Sequence, residues 1–283
     1  MNRRKVGRFD VEVSVIGMGG IVLSGREQAD ADRHVAESIA RGVTYFDVAP
    51  TYGDAEQRLG PALEPYRDEV VLACKTGKRT AEESREELEQ SLRRLRTDRL
   101  DLYQMHALCR IEEVEQALGP GGAIETFVEA KRQGLTRLIG FSAHSDAVAL
   151  RALECEQFDT VLFPLNFLSL ERNGFGRQVL AAAGDRGMGI LAIKSMARTK
   201  LPEGTDRPYE KCWYVPEDRP EVARLQLRYT LALPGVAAAI PPGQPELFEL
   251  AVDTPNPGEA LSEEETARLR ADTRPFEPLW DAP

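Results

Sequence analysis

The chain has 283 residues, 42% of them apolar and 29% charged, with 36 basic and 46 acidic side chains giving a formal net charge of −10. That length suits one α/β barrel of roughly 250 residues with short extensions, so a single domain over residues 1–283 is expected. The composition is that of a folded globule, and the acidic balance speaks against nucleic acid or an anionic membrane as a partner.

The four cysteines, Cys74, Cys109, Cys155 and Cys212, are widely spaced with no CxxC pair. This argues against a zinc ribbon or an iron–sulfur cluster and suits a reducing compartment. Arg3, Arg4 and Lys5 are followed by Asp10 and Glu12 rather than by an apolar run. Neither a secretory leader nor a membrane span is readable, and a cytoplasmic location is expected.

Taken in chain order, the segment from Lys5 to Gly20 alternates like a short hairpin leading into a strand that ends in glycines. Short apolar runs then recur at 14–17, 44–46, 70–74, 100–105, 137–141, 160–163, 189–193 and 236–240. Amphipathic stretches lie between them, the clearest being residues 81–95, with Leu88, Leu92 and Leu95 on one stripe. Eight strand–helix alternations with apolar strands predict a parallel sheet closed into a (β/α)₈ TIM barrel. A six-stranded doubly wound sheet is the rival, but no GxGxxG follows the first strand.

Three segments break the beat. Residues 197–219 form a long loop with adjacent aromatics, Trp213 and Tyr214, and loops of that length inside a compact domain are usually functional. Ser262, three residues before Glu265, predicts a capping box that opens an extra C-terminal helix. The tail after it carries Phe276, Leu279 and Trp280, and packing against the barrel is the expected role.

In such a barrel the chemistry sits where strands end and the following loops begin. Asp47 follows the second run, with Tyr52 five residues later; Lys75 follows the third run, and His106 the fourth. Singly, each has an ordinary structural use, as a helix cap, a packed ring, a loop lysine or a core histidine. Jointly they make the acid–base unit that carbonyl reduction needs. Negative charge grows on the carbonyl oxygen as hydride arrives at carbon, and a phenol can meet it with a proton. An ammonium beside the phenol is expected to pull its pKa down, a carboxylate to hold the ammonium, and an imidazole to orient the carbonyl.

The string FDVAPTYG resembles the D-x-A-x-x-Y-G signature of the aldo-keto reductases. Lys75 and the histidine of DLYQMH, with GMGG, GFS and IPPG, fall in the order of that family's motifs over roughly residues 5–252. The resemblance implies an NAD(P)H-dependent oxidoreductase of aldehydes, ketones or alcohols. Tyr52 would be its general acid/base, tuned by Lys75 and Asp47, and His106 would position the carbonyl. It further implies cofactor contacts at Gly20, Ile21, Asp47 and Ser142, at the backbone of Lys194, Ser195 and Met196, and at Gly243 and Gln244. Trp213 and Tyr214 are candidate walls of the substrate pocket beside Tyr52 and His106. No metal is expected.

The chain departs from the family pattern at Ala143, Leu162 and Ile193 and at Pro242, Gly243 and Phe248 after the eighth run. Few cations stand where a 2′-phosphate is usually clasped, so NADP(H) is the family default and NAD(H) is credible. A non-catalytic nicotinamide-binding sensor on the same fold is the alternative, and a metal hydrolase or a Schiff-base lyase fits the residues less well.

Overall fold

The computed structural model describes residues 1–155 and 157–281; residues 156, 282 and 283 of the expected domain lie outside the described residues. Its main sheet has eight parallel strands. In chain order they are β1 (Met18–Gly19), β2 (Tyr45–Asp47), β3 (Val71–Thr76), β4 (Leu100–Leu108), β5 (Thr136–Ala143), β6 (Thr160–Pro164), β7 (Gly189–Ile193) and β8 (Val236–Ile240). Each pairs with the next, and a parallel bridge from Ile16 to Ala239 brings the chain ahead of β1 back to β8. Backbone bonds from Gly17 N–H to Ala239 O and from Ala239 N–H to Val15 O complete the ring.

Strand pleating sorts the side chains into two cores, because successive residues point to opposite faces. Phe46, Cys74, Tyr103, Met105 and Phe141 face outward and pack under the helices. Tyr45, Ala73, Leu102, Leu138, Leu162 and Leu191 face inward and fill the cylinder. The floor is closed by the N-terminal hairpin, Arg3–Lys5 against Glu12–Ser14, which adds Val6, Val11 and Val13 to the inner cluster. The same parity sends Asp47, Lys75, Gln104, His106 and Ser142 inward, toward the opposite end.

Several boundaries differ from those read in the sequence. Ser14 belongs to the hairpin, so the first barrel strand starts later, at Met18, and 15–17 meets β8 only through an isolated bridge. The chain there runs close over Tyr45, whose ring lies 2.4 Å from where a Cβ on Gly17 would stand. β3, β4 and β5 run past their expected ends, which places Lys75, His106 and Ser142 within strands rather than after them. Apolar content marks the buried middle of a strand, but ladder hydrogen bonds continue through polar residues that face the cavity.

The long segment after β7 is partly ordered as an antiparallel ribbon, Ala197–Lys200 with Tyr214–Pro216, rather than a plain loop. Glu217 ends it, fully buried and held by the guanidinium groups of Arg198 and Arg219. The helix expected over 81–95 spans Ala81–Arg94, with Thr80 accepting from the Glu83 N–H at its start. The extra helix, Glu263–Thr273, has both bonds of the capping box between Ser262 and Glu265. No helix among the described residues is long and apolar enough to cross a membrane.

Candidate active site

Where β2, β3 and β4 end, three inward side chains meet. The Lys75 ammonium and the Asp47 carboxylate form an ion pair with side-chain exposures of 0% and 3%, so water does not screen it. Lys75 also donates to the carbonyl of Val48 at 3.2 Å. The other oxygen of Asp47 accepts from the Tyr45 hydroxyl at 3.1 Å and from Gln104 Nε2 at 3.0 Å. A carboxylate with three donors is locked in place, and it locks the ammonium in turn.

Tyr52 stands in the loop after β2, and Lys75 Nζ lies 5.3 Å from the centre of its ring. The Tyr52 and His106 rings meet edge to face at 5.7 Å. Burial raises the Tyr52 pKa above the ordinary phenol value, and the opposing charge of Lys75 reduces that rise without cancelling it. The sequence suggested a lowered value; the structure reverses the sign, because desolvation of a phenolate inside the barrel outweighs one neighbouring ammonium already engaged by Asp47. Burial also works against the Lys75 ammonium, yet Asp47 and Tyr52 overcome it and its pKa stands above the usual lysine value.

His106 sits in an irregularity of the β4–β5 ladder between Met105 and Leu108, where Ala107 adopts a positive φ of 50°. The distortion is held from both sides. Arg79 donates to the carbonyls of His106 and Ala107, and the Ala107 N–H donates to Ser142 Oγ at 2.7 Å. His106 Nδ1 is 3.3 Å from Thr51 Oγ1. Burial, then the charge of Lys75, pushes the His106 pKa down to about 3, so the imidazole is neutral at ordinary pH and keeps one N–H to donate.

These groups line a cavity of about 330 Å³ at the carboxyl ends of the strands. Of the residues expected at the site, Ile21, Asp47, Tyr52, Lys75, His106, Ser142, Lys194, Trp213, Tyr214 and Gly243 line it. Four stand elsewhere. Gly20 packs against Val48, with 2.8 Å from a would-be Cβ to Cγ2, and Ser195 and Met196 are buried. The Gln244 amide oxygen accepts from the backbone N–H groups of Glu210 and Lys211 at 3.0 and 3.1 Å, which ties the long segment to the turn after β8. Leu162, Ile193 and Ile240 supply an apolar side.

Sequence reasoning missed Tyr45, Thr51, Arg79, Gln104 and Lys211. For Tyr45 and Gln104 a signal existed: each precedes a site residue by two positions, the spacing that puts both on one strand face. Nothing local marks Lys211, which reaches across the mouth to the carbonyls of Val22 and Ser24. Trp280 of the tail stacks on Phe175 at 4.8 Å and stands 6.2 Å from Trp213, so the tail both packs and edges the mouth.

The family model described as "Aldo/keto reductase family" matches residues 15–244, from the chain ahead of β1 to the turn after β8. The chain belongs to the aldo/keto reductase family. Among relatives of this family, aldo-keto reductase YhdN of Bacillus subtilis is 32% identical over 226 residues, covering 71% of this chain and 64% of that protein. The uncharacterized oxidoreductase YqkF of the same organism is 32% identical over 157 residues, covering 50% of this chain and 49% of YqkF. The chain thus spans between about half and under two thirds of those two relatives' length. The holo form of aldo-keto reductase AKR11C1 from Bacillus halodurans superposes with a TM-score of 0.76 at 26% identity, over 96% of each chain.

Proposed function

We propose that this chain catalyses hydride transfer between a nicotinamide dinucleotide and a carbonyl or alcohol, with Tyr52 as the proton donor and acceptor. The observation that carries the reading is the buried Asp47–Lys75 pair beside the phenol of Tyr52, with a neutral His106 ring against it.

The cavity suits the cofactor. Ser142 Oγ already accepts from the Ala107 N–H, which leaves its own hydrogen free for a carboxamide oxygen, and the apolar side at Leu162, Ile193 and Ile240 suits a flat ring. When bound, the nicotinamide supplies or takes up the hydride. Ser142 and Ile21 would orient it, with Lys194 and Gly243 lining the cavity beyond. Two of the three donors of Lys211 are spent on Val22 and Ser24, which leaves its charge but only one donor for a 2′-phosphate, and either NADPH or NADH is accommodated.

The chain's own part is to manage the oxygen. His106 donates a hydrogen bond to the carbonyl and holds it beside the Tyr52 hydroxyl. As charge builds on that oxygen, the Tyr52 proton passes to it, and Lys75 stabilises the phenolate left behind. Asp47 keeps Lys75 charged and still. The raised Tyr52 pKa keeps the proton in place at neutral pH, as the donor role requires. Trp213 and Tyr214 wall the substrate space from the long segment.

Tyr52→Phe tests this. Single-turnover oxidation of bound NADPH by a panel of aldehydes is expected to slow by at least roughly 100-fold, the usual contribution of a positioned acid, with cofactor affinity retained. Wild-type rates in the variant would remove Tyr52 as the acid. Cofactor binding without turnover across the panel, in both directions and in wild type, would favour a sensor instead.

A further inference from the structure

We propose that the side chain of Lys194 is an anion-binding group of the substrate pocket, selecting carbonyl substrates that also carry a carboxylate. The inference rests on the carbonyl-reduction reading above and deepens it by naming a substrate class.

Three lysines line the cavity, and two are committed. Lys75 is paired with Asp47, and Lys211 donates to the carbonyls of Val22 and Ser24 at 3.1 and 2.8 Å. Among the described residues, no carboxylate or hydrogen-bond acceptor engages Lys194 Nζ. What surrounds it instead is aromatic: its Nζ stands 5.1 Å from the Trp213 ring centre and 4.8 Å from that of Tyr214. Ring faces attract a cation but leave its hydrogen-bond donors unused. Burial brings the pKa of Lys194 down to about 8, so it remains mostly protonated at neutral pH. Asp47 is the one carboxylate among the lining residues, and Lys75, Tyr45 and Gln104 occupy it. An incoming anion therefore meets a free ammonium and little repulsion.

The backbone adds weight. Lys194 adopts φ 63°, a left-handed conformation that a lysine visits rarely and that surroundings must impose. It follows β7 directly, and its carbonyl accepts from the Ala197 N–H at 3.0 Å where the ribbon begins. Lys194 lines the same cavity as Tyr52, His106 and His144, and its charge is among those that disfavour protonation of the two imidazoles. His144 is a neutral imidazole at ordinary pH, and it adds a donor to the same wall. A carboxylate at Lys194 then leaves the carbonyl of the same molecule for Tyr52 and His106.

Two pairs differ by an added carboxylate, butanal with 4-oxobutanoate and benzaldehyde with 4-carboxybenzaldehyde, and comparing wild type with Lys194→Met separates its charge from its size and electronic effect. In wild type at least one acid is expected to exceed its neutral partner tenfold or more in kcat/KM. Lys194→Met is expected to erase that ratio through KM, whatever loss the partners share, and Lys194→Arg to restore part of it. A ratio that survives in Lys194→Met overturns the assignment, as does the absence of any ratio in wild type. A tenfold rise in the dissociation constant of the reduced cofactor also overturns it, because the ammonium then serves the diphosphate. If wild type reduces none of the four aldehydes, the carbonyl-reduction reading has failed, and the anion site is read by binding alone. Benzoate is then titrated into the protein saturated with oxidised cofactor while tryptophan fluorescence is followed. A dissociation constant raised tenfold in Lys194→Met supports the site; equal constants, or no saturable binding in wild type, overturn it.

Discussion

Removing the ammonium of Lys75 should cost stability and activity together, and the amount follows from what Asp47 keeps. In Lys75→Met the buried carboxylate retains the Tyr45 hydroxyl and Gln104 Nε2 but loses the one cation that pairs with it among the described residues. Breaking a buried pair from one side costs about 3–5 kcal/mol, and two surviving neutral donors put this variant near the lower end. Asp47→Asn leaves a buried ammonium with the Val48 carbonyl as its other acceptor and belongs near the upper end. The double variant buries no unpaired charge, so it should cost no more than about 3 kcal/mol, far less than the sum of the singles. Urea unfolding followed by tryptophan fluorescence measures all four corners of the cycle. Lys75→Met should also slow the chemical step, since the Tyr52 phenolate loses its counter-charge. Single costs below about 1 kcal/mol, or strict additivity, would refute the buried pair as described.

Two further outcomes follow from other parts of the molecule. The imidazoles of His106 and His144 are held down to about 3 and about 4, whereas the unfolded chain takes up these protons near 6.5. Unfolding therefore gains protons, and stability should fall as pH drops below about 6.5, by about 2 kcal/mol per imidazole at pH 5. His144→Gln should lose less stability than wild type between pH 7.5 and 5; equal losses would contradict the assignment. At the far end of the chain, Ser262→Ala removes the cap that accepts from the Glu265 N–H at 3.1 Å. It should lower stability by about 0.5–2 kcal/mol in urea titrations while kcat/KM stays unchanged.

The order of the strands, the helix over Ala81–Arg94, the capping box at Ser262 and the grouping of Asp47, Tyr52, Lys75 and His106 are all legible in the primary structure. The grouping of the four side chains is read from their places at the ends of successive strands and from the family resemblance. The strands, the helix and the cap are written in periodicities a few residues long: two for a strand face, 3.6 for a helix stripe, three for a cap. Tyr45 and Gln104 were within reach of the same rule. The tertiary structure alone decided the upward shift of Tyr52, the neutral state of His106, the commitment of Lys211 and Gln244, and the aromatic enclosure of Lys194. These depend on which distant segments exclude water or offer a partner. Lys211 meets Ser24 across 187 residues, and Trp280 nears Trp213 from the C-terminal tail. A pattern of neighbours along the chain states what a side chain is, but its charge is settled by what the folded chain places around it.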